Sequence, residues 1–200
     1  MKEEFKERIE FYLTEVNVIQ GVINAISDIN KVLIKTPPEF QKAFYKDGCC
    51  TGKIFDQYLP SRLSTVSSVT FKHGKDKSEE DCVCIEDKRF NSELKSTLAE
   101  HGPNKRQYIP ASKTNAGKRN KNSTKYITDD YKIYIFVGLH PPKNKNEQLS
   151  INDIYVGLLK PSDFKTSKSS GSGSASVPKK EVFDKQFIRI YTTRTDELKL

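Results

Sequence analysis

Apolar residues near the start of the chain fall three or four apart, at Phe5, Ile9, Leu13, Val16, Ile19, Ile23 and Ile26, which predicts helix from Glu3 to about Leu33. That is long for one globular helix, so a break is expected near Gly21 or Ser27-Asp28. Its apolar stripe suits packing on a sheet, or in part a dimer seam. Pro37-Pro38 ends this unit and opens a short helix, EFQKAFYKDG, that stops at Gly48. A helical turn, GKIFDQYLPSRL, leads into the β-prone run STVSSVTFKHG. Farther on, DDYKIYIFVGLHPP reads as a central buried strand, with Ile133, Ile135, Val137 and Leu139 on one face and aromatic residues on the other. INDIYVGLLKPSDF reads as its neighbour and KQFIRIYTTR as a last strand, while the Gly/Ser-rich stretch between them reads as a mobile loop over 165–180. These elements make an α/β fold: a mixed central sheet of about five strands flanked by helices on both faces, in a single domain over 1–200.

Charge narrows the class. The chain carries a formal +8 with a pI near 9.2, which favours a polyanionic partner, nucleic acid before a membrane surface. No apolar run approaches the roughly 20 residues of a spanning helix, and MKEEFKERIE lacks the apolar core of a signal peptide. From His101 to Thr128 there is no acidic residue, and seven positive charges are present: Lys105, Arg106, Lys113, Lys118, Arg119, Lys121 and Lys125. Amides such as Asn115 are interleaved. Lys and Arg neutralise phosphates, and Arg, Asn and Gln read base edges, so this segment is the expected DNA contact. Cys49, Cys50, Cys82 and Cys84 form no CxxC pair and accompany only three His, which argues against zinc and for reduced thiols in a cytosol. No P-loop or GxGxxG is present, so no nucleotide cofactor is expected.

The chemistry-bearing stretch is DCVCIEDKRFNSELK, Asp81 to Lys95. It reads as a hairpin closed by a three-residue loop at Glu86-Asp87-Lys88. Strand alternation points Glu93 and Lys95 to one face, and the register puts Asp81 opposite Glu93, with Cβ atoms about 5 Å apart. Carboxylates that close repel unless a cation lies between them, and a divalent metal is the simplest one. Acid-x-Lys triplets also occur at Glu4/Lys6, Glu86/Lys88, Asp130/Lys132, Asp163/Lys165 and Glu197/Lys199. Context favours Glu93, and the real competitor is Asp130, whose triplet precedes the apolar strand.

An Asp followed a dozen residues later by Glu-x-Lys on the next strand resembles the PD-(D/E)XK nuclease superfamily, and within it a type II restriction endonuclease. The resemblance implies that Asp81 and Glu93 bind Mg²⁺ with the backbone carbonyl of Leu94, and that Lys95 is the catalytic lysine. It departs in one place: Glu80 stands where the superfamily's motif has proline. A helix before the motif often adds another acid in such proteins, and Glu39, Asp47 and Asp56 are open candidates. The resemblance further implies double-stranded DNA as substrate, a homodimer acting on short palindromic sites, and a prokaryotic cytoplasm. The chain then divides into N-terminal helices (1–48), a catalytic hairpin region (65–97), a basic DNA-contact loop (101–128) and a flexible loop (165–180). The rival readings are a non-enzymatic nucleic-acid-binding protein and a structure-selective repair or recombination nuclease.

Overall fold

The computed structural model describes residues 3–46, 48–74, 80–98, 131–142, 147–160, 163–166, 176–178 and 185–193. Two helices replace the single long one: α1 (Glu3–Thr14) and α2 (Val18–Leu33). The break falls earlier than Gly21 or Ser27-Asp28 because the intervening residues are tied elsewhere. Val16 bridges to Ser67, and Asn17 caps α2 by accepting from the Gln20 N–H at 3.1 Å. The break also resets the helical phase. Val18, Val22, Ala25, Ile26, Ile29 and Leu33 are buried on α2, whereas Leu13 and Ile23, expected inside, are exposed.

Helix α3 (Pro38–Lys46) starts on a proline, where a missing N–H costs nothing. The expected helical turn is a full helix, α4 (Gly48–Ser64), which continues through Pro60. Phe55, Leu59 and Leu63 form its buried stripe. Gly21 is a packing position, since a Cβ there would lie 2.7 Å from Leu63 Cδ2.

Eight strands follow among the described residues: β1 (Phe71–His73), β2 (Cys82–Cys84), β3 (Ser92–Leu98), β4 (Lys132–His140), β5 (Ser150–Leu159), β6 (Phe164–Thr166), β7 (Ser176–Pro178) and β8 (Phe187–Thr192). Six make the main sheet in the order β1-β2-β3-β4-β5-β8, one more than expected. Its β3–β4 pair is parallel and the others antiparallel, so the sheet is mixed. β6 and β7 pair separately, so within the stretch read as a loop over 165–180, residues 165–166 and 176–178 are in strands.

Strand β4 has the two faces its alternation requires. Ile133, Ile135, Val137 and Leu139 join the main core, to which all four helices contribute. Tyr134 and Phe136 face the other way, onto Leu159, Tyr155 and Phe187. The described helices thus cover one face of the sheet and not both. Glu93 and Lys95, in register with Tyr134 and Phe136, lie on this second face.

Candidate active site

The hairpin forms in the expected register, with Cys82 paired to Ser92, but not through a three-residue loop. Residues 85–91 make the connection, and a short 3₁₀ turn spans Lys88–Phe90. Side chains take over from the sheet ladder there. Asn91 Oδ1 accepts from the Cys84 N–H at 3.0 Å, and Asp87 caps the turn through the Arg89 N–H at 2.9 Å. Phe90 stacks on Phe11 of α1 with centroids 3.8 Å apart, and the Tyr12 hydroxyl donates to the Phe90 carbonyl. Cys82 and Cys84 are buried and free on the core side.

Strand alternation sends Leu94 into the core and Glu93 and Lys95 to the opposite face. Asp81, just ahead of β2, accepts from the Leu94 N–H at 3.0 Å and from Lys95 Nζ at 2.7 Å, both on Oδ2. Lys95 Nζ also donates to Glu93 Oε2 at 3.2 Å. The three predicted residues therefore converge. Their side chains are 29%, 20% and 23% exposed for Asp81, Glu93 and Lys95, open to a substrate yet poorly hydrated.

Each titrates accordingly. Burial pushes the Asp81 carboxyl up, but the Lys95 charge and hydrogen bonds outweigh it and hold the group below the usual carboxylate range. Glu93 goes the other way: burial, with the Asp81 charge beside it, raises its carboxyl despite Lys95 and Lys132. Burial alone would lower Lys95, but Glu93 and Asp81 keep it a firm ammonium, raised above the ordinary lysine value.

Two further groups join the cluster. Asp56 on α4 has its carboxyl pushed up to about 7, by burial first and then by the Asp81 and Glu93 charges against the pull of Lys95. Gly52, one turn earlier on the same helix face, lets α4 approach β3, since a Cβ there would sit 3.3 Å from Ser96 Oγ. Of the three helix acids, Asp56 is thus the one whose carboxyl feels the charges of the site. Glu39 is exposed on α3, and Asp47 lies outside the described residues. The second group is Lys132, whose Nζ lies 3.0 Å from Glu80 Oε1 and 3.6 Å from Glu93 Oε1. The sequence pattern places Lys132 only in the competing triplet with Asp130. The signal that could have found it is the strand's own parity, because if Ile133 and Ile135 face the core, Lys132 faces the acids.

Asp81, Glu93 and Asp56 offer hard carboxylate oxygens of the kind Mg²⁺-like ions take. Asp56 Oδ1 is buried with no hydrogen-bond partner, an oxygen whose desolvation a cation would offset. Among the described residues no three His, Cys, Asp or Glu are already gathered as a metal cage. The Lys95 ammonium lies between Asp81 and Glu93 and pairs with both. The expected DNA contacts Lys105, Arg106, Lys113, Asn115, Lys118, Arg119 and Lys121 lie outside the described residues, as does Asp130. No described helix is long and apolar enough to cross a membrane.

A family model described as ScaI restriction endonuclease matches residues 3–191 of the chain. No curated protein and no solved structure matches it.

Proposed function

The chain belongs to the ScaI restriction endonuclease family, the type II site-specific deoxyribonucleases that cut DNA at defined sequences, and we propose that it does so with Mg²⁺ held by Asp81 and Glu93 and with Lys95 as the catalytic lysine. The observation that carries this assignment is the convergence of one ammonium and two carboxylates on β3 and the residue before β2. The reaction is hydrolysis of a phosphodiester, with water attacking phosphorus and the 3′-oxygen leaving. Asp81 and Glu93, with the Leu94 carbonyl and Asp56, are the oxygens that would hold a divalent ion, which supplies Lewis acidity at the phosphate and acidifies bound water. Lys95 acts as a charge or orients the attacking water. Released from the carboxylates, its ammonium stabilises the negative charge that develops on the phosphate oxygens. Asp81 is anchored for this by the Leu94 N–H, so its carboxylate stays in place when Lys95 moves.

The basic segment 101–128 supplies phosphate and base contacts, and a homodimer brings one site to each strand of a palindrome. We place the enzyme in the cytoplasm, where DNA is met. The test is cleavage of phage DNA with Mg²⁺: discrete bands are expected, and Asp81→Ala, Glu93→Ala and Lys95→Ala should each abolish them while melting as the parent does. A smear would indicate a nuclease without base readout, and shifted but intact DNA a binder only. A variant that still cuts at the parent rate removes its residue from the site.

A further inference from the structure

Glu80, which stands where the superfamily's motif has proline, is one end of a salt bridge built into the site. Its two oxygens are both engaged: Oε1 meets Lys132 Nζ at 3.0 Å, and Oε2 accepts from Asn91 Nδ2 at 3.2 Å. The same Lys132 ammonium faces Glu93 Oε1 at 3.6 Å, while Lys95 holds Glu93 Oε2 at 3.2 Å. The two oxygens of Glu93 thus answer to two different lysines. Register explains the meeting. The parallel pairing of β3 with β4 sets Ser92 against Ile133 and Glu93 against Tyr134, so Lys132, two residues before Tyr134 and on its face, emerges beside Glu93.

The lysines differ in what anchors them. Lys95 is shared between Asp81 and Glu93, and any cation arriving there must displace it. Lys132 is fastened to a carboxylate outside that pair, itself fastened to the hairpin turn. We propose that Lys132 is a positioning residue for cleavage: tethered by Glu80, it holds the Glu93 carboxylate in place when Lys95 leaves to meet the scissile phosphate. Without it, Glu93 would be oriented only through the cation it shares with Asp81, and its Oε1 would keep no ion-pair partner among the described residues. Glu80, in the proline's place, supplies the acid to which Lys132 is tethered. The inference rests on Asp81, Glu93 and Lys95 being the cleavage site.

The test compares Lys132→Met, Lys132→Arg, Glu80→Gln and the Glu80→Gln/Lys132→Met double variant in the full chain. Lys132→Met should slow single-turnover cleavage in Mg²⁺ about 10- to 100-fold, the usual loss when the partner of a metal-binding group is removed. Glu80→Gln should act in the same direction, the double variant should be no slower than Lys132→Met alone, and Lys132→Arg should recover most of the rate. DNA affinity in Ca²⁺ should stay at the parent value, and calorimetry with Ca²⁺ alone should show weaker binding to Lys132→Met. Parent-like cleavage by Lys132→Met, multiplicative losses in the double variant, or tighter Ca²⁺ binding from mere relief of repulsion would each overturn the role. So would weaker DNA binding with a shallower salt dependence, which marks a phosphate contact. The parent protein and Lys95→Met serve as controls. If the parent does not cut, or Lys95→Met cuts as fast, the site assignment fails; if both behave as expected, only the role of Lys132 is at stake.

Discussion

At the scale of single residues, the candidate trio is legible because strand geometry is periodic. Glu93 and Lys95 share a face by parity, and one register assumption places Asp81 across from them. Asp56 cannot be chosen from sequence, since an acid on a helix has the same local signature whether it meets solvent or a buried cluster. What marks it is its surroundings, a buried Oδ1 without a hydrogen bond and two carboxylates that push its proton affinity up. That leads to a signed expectation for stability. A carboxyl whose folded value is raised to about 7 favours the fold while protonated, and the contribution disappears as pH climbs from the ordinary carboxylate range through about 7. Asp56→Asn has no proton to lose there. In metal-free buffer, melting temperatures of parent and variant should converge near pH 4, and the variant should be the more stable at pH 8, while cutting more slowly in Mg²⁺. A variant less stable than the parent at pH 8 would mean the Asp56 carboxylate is already compensated in the fold.

At the scale of elements, type is easier to read than boundary or partner. The β4 alternation carries through, since both of its faces are written in side chains that the core sorts. The N-terminal helix reads as one piece because its spacing runs on through Val16, and nothing local says that Val16 and Asn17 bind the link after α4. Gly21 misleads for a related reason: a glycine in a helix is the same letter whether it breaks the helix or lets another one approach. Its contact with Leu63 distinguishes the cases. A breaking glycine replaced by alanine gains about 1 kcal/mol of helix propensity. Here the added carbon meets a close-packed leucine on α4, so Gly21→Ala should not stabilise, and Gly21→Val should cost about 1 to 3 kcal/mol in urea unfolding, as overpacking does. A Gly21→Val protein with the parent's midpoint would show that α2 and α4 are not in tight contact at this point.

At the scale of the whole molecule, the formal charge of +8 and the parallel β3–β4 pair set the arrangement expected around DNA. In sequence, residues 99–130 join β3 to its parallel neighbour β4. This link contains the acid-free run from His101 to Thr128 and joins β4 at Lys132, beside Glu93. The segment richest in positive charge is therefore covalently pinned to the strand that borders the candidate site. Composition alone identifies the charge, but only strand order shows where its end is tethered. If the run tracks the DNA backbone, replacing Lys118, Arg119 and Lys121 together by alanine should weaken binding to every sequence, measured in Ca²⁺ to prevent cutting. The slope of log affinity against log salt should flatten by about 0.9 for each phosphate no longer neutralised. Arg119→Lys on its own keeps the charge but gives up the bidentate fork, so it should leave the slope unchanged and, if Arg119 reads guanine, relax discrimination at one base pair by about 1 to 3 kcal/mol. Equal affinity and an equal slope in the triple variant would move the DNA-binding surface to other lysines and arginines of the chain, and Lys118, Arg119 and Lys121 would then have no part in recognition.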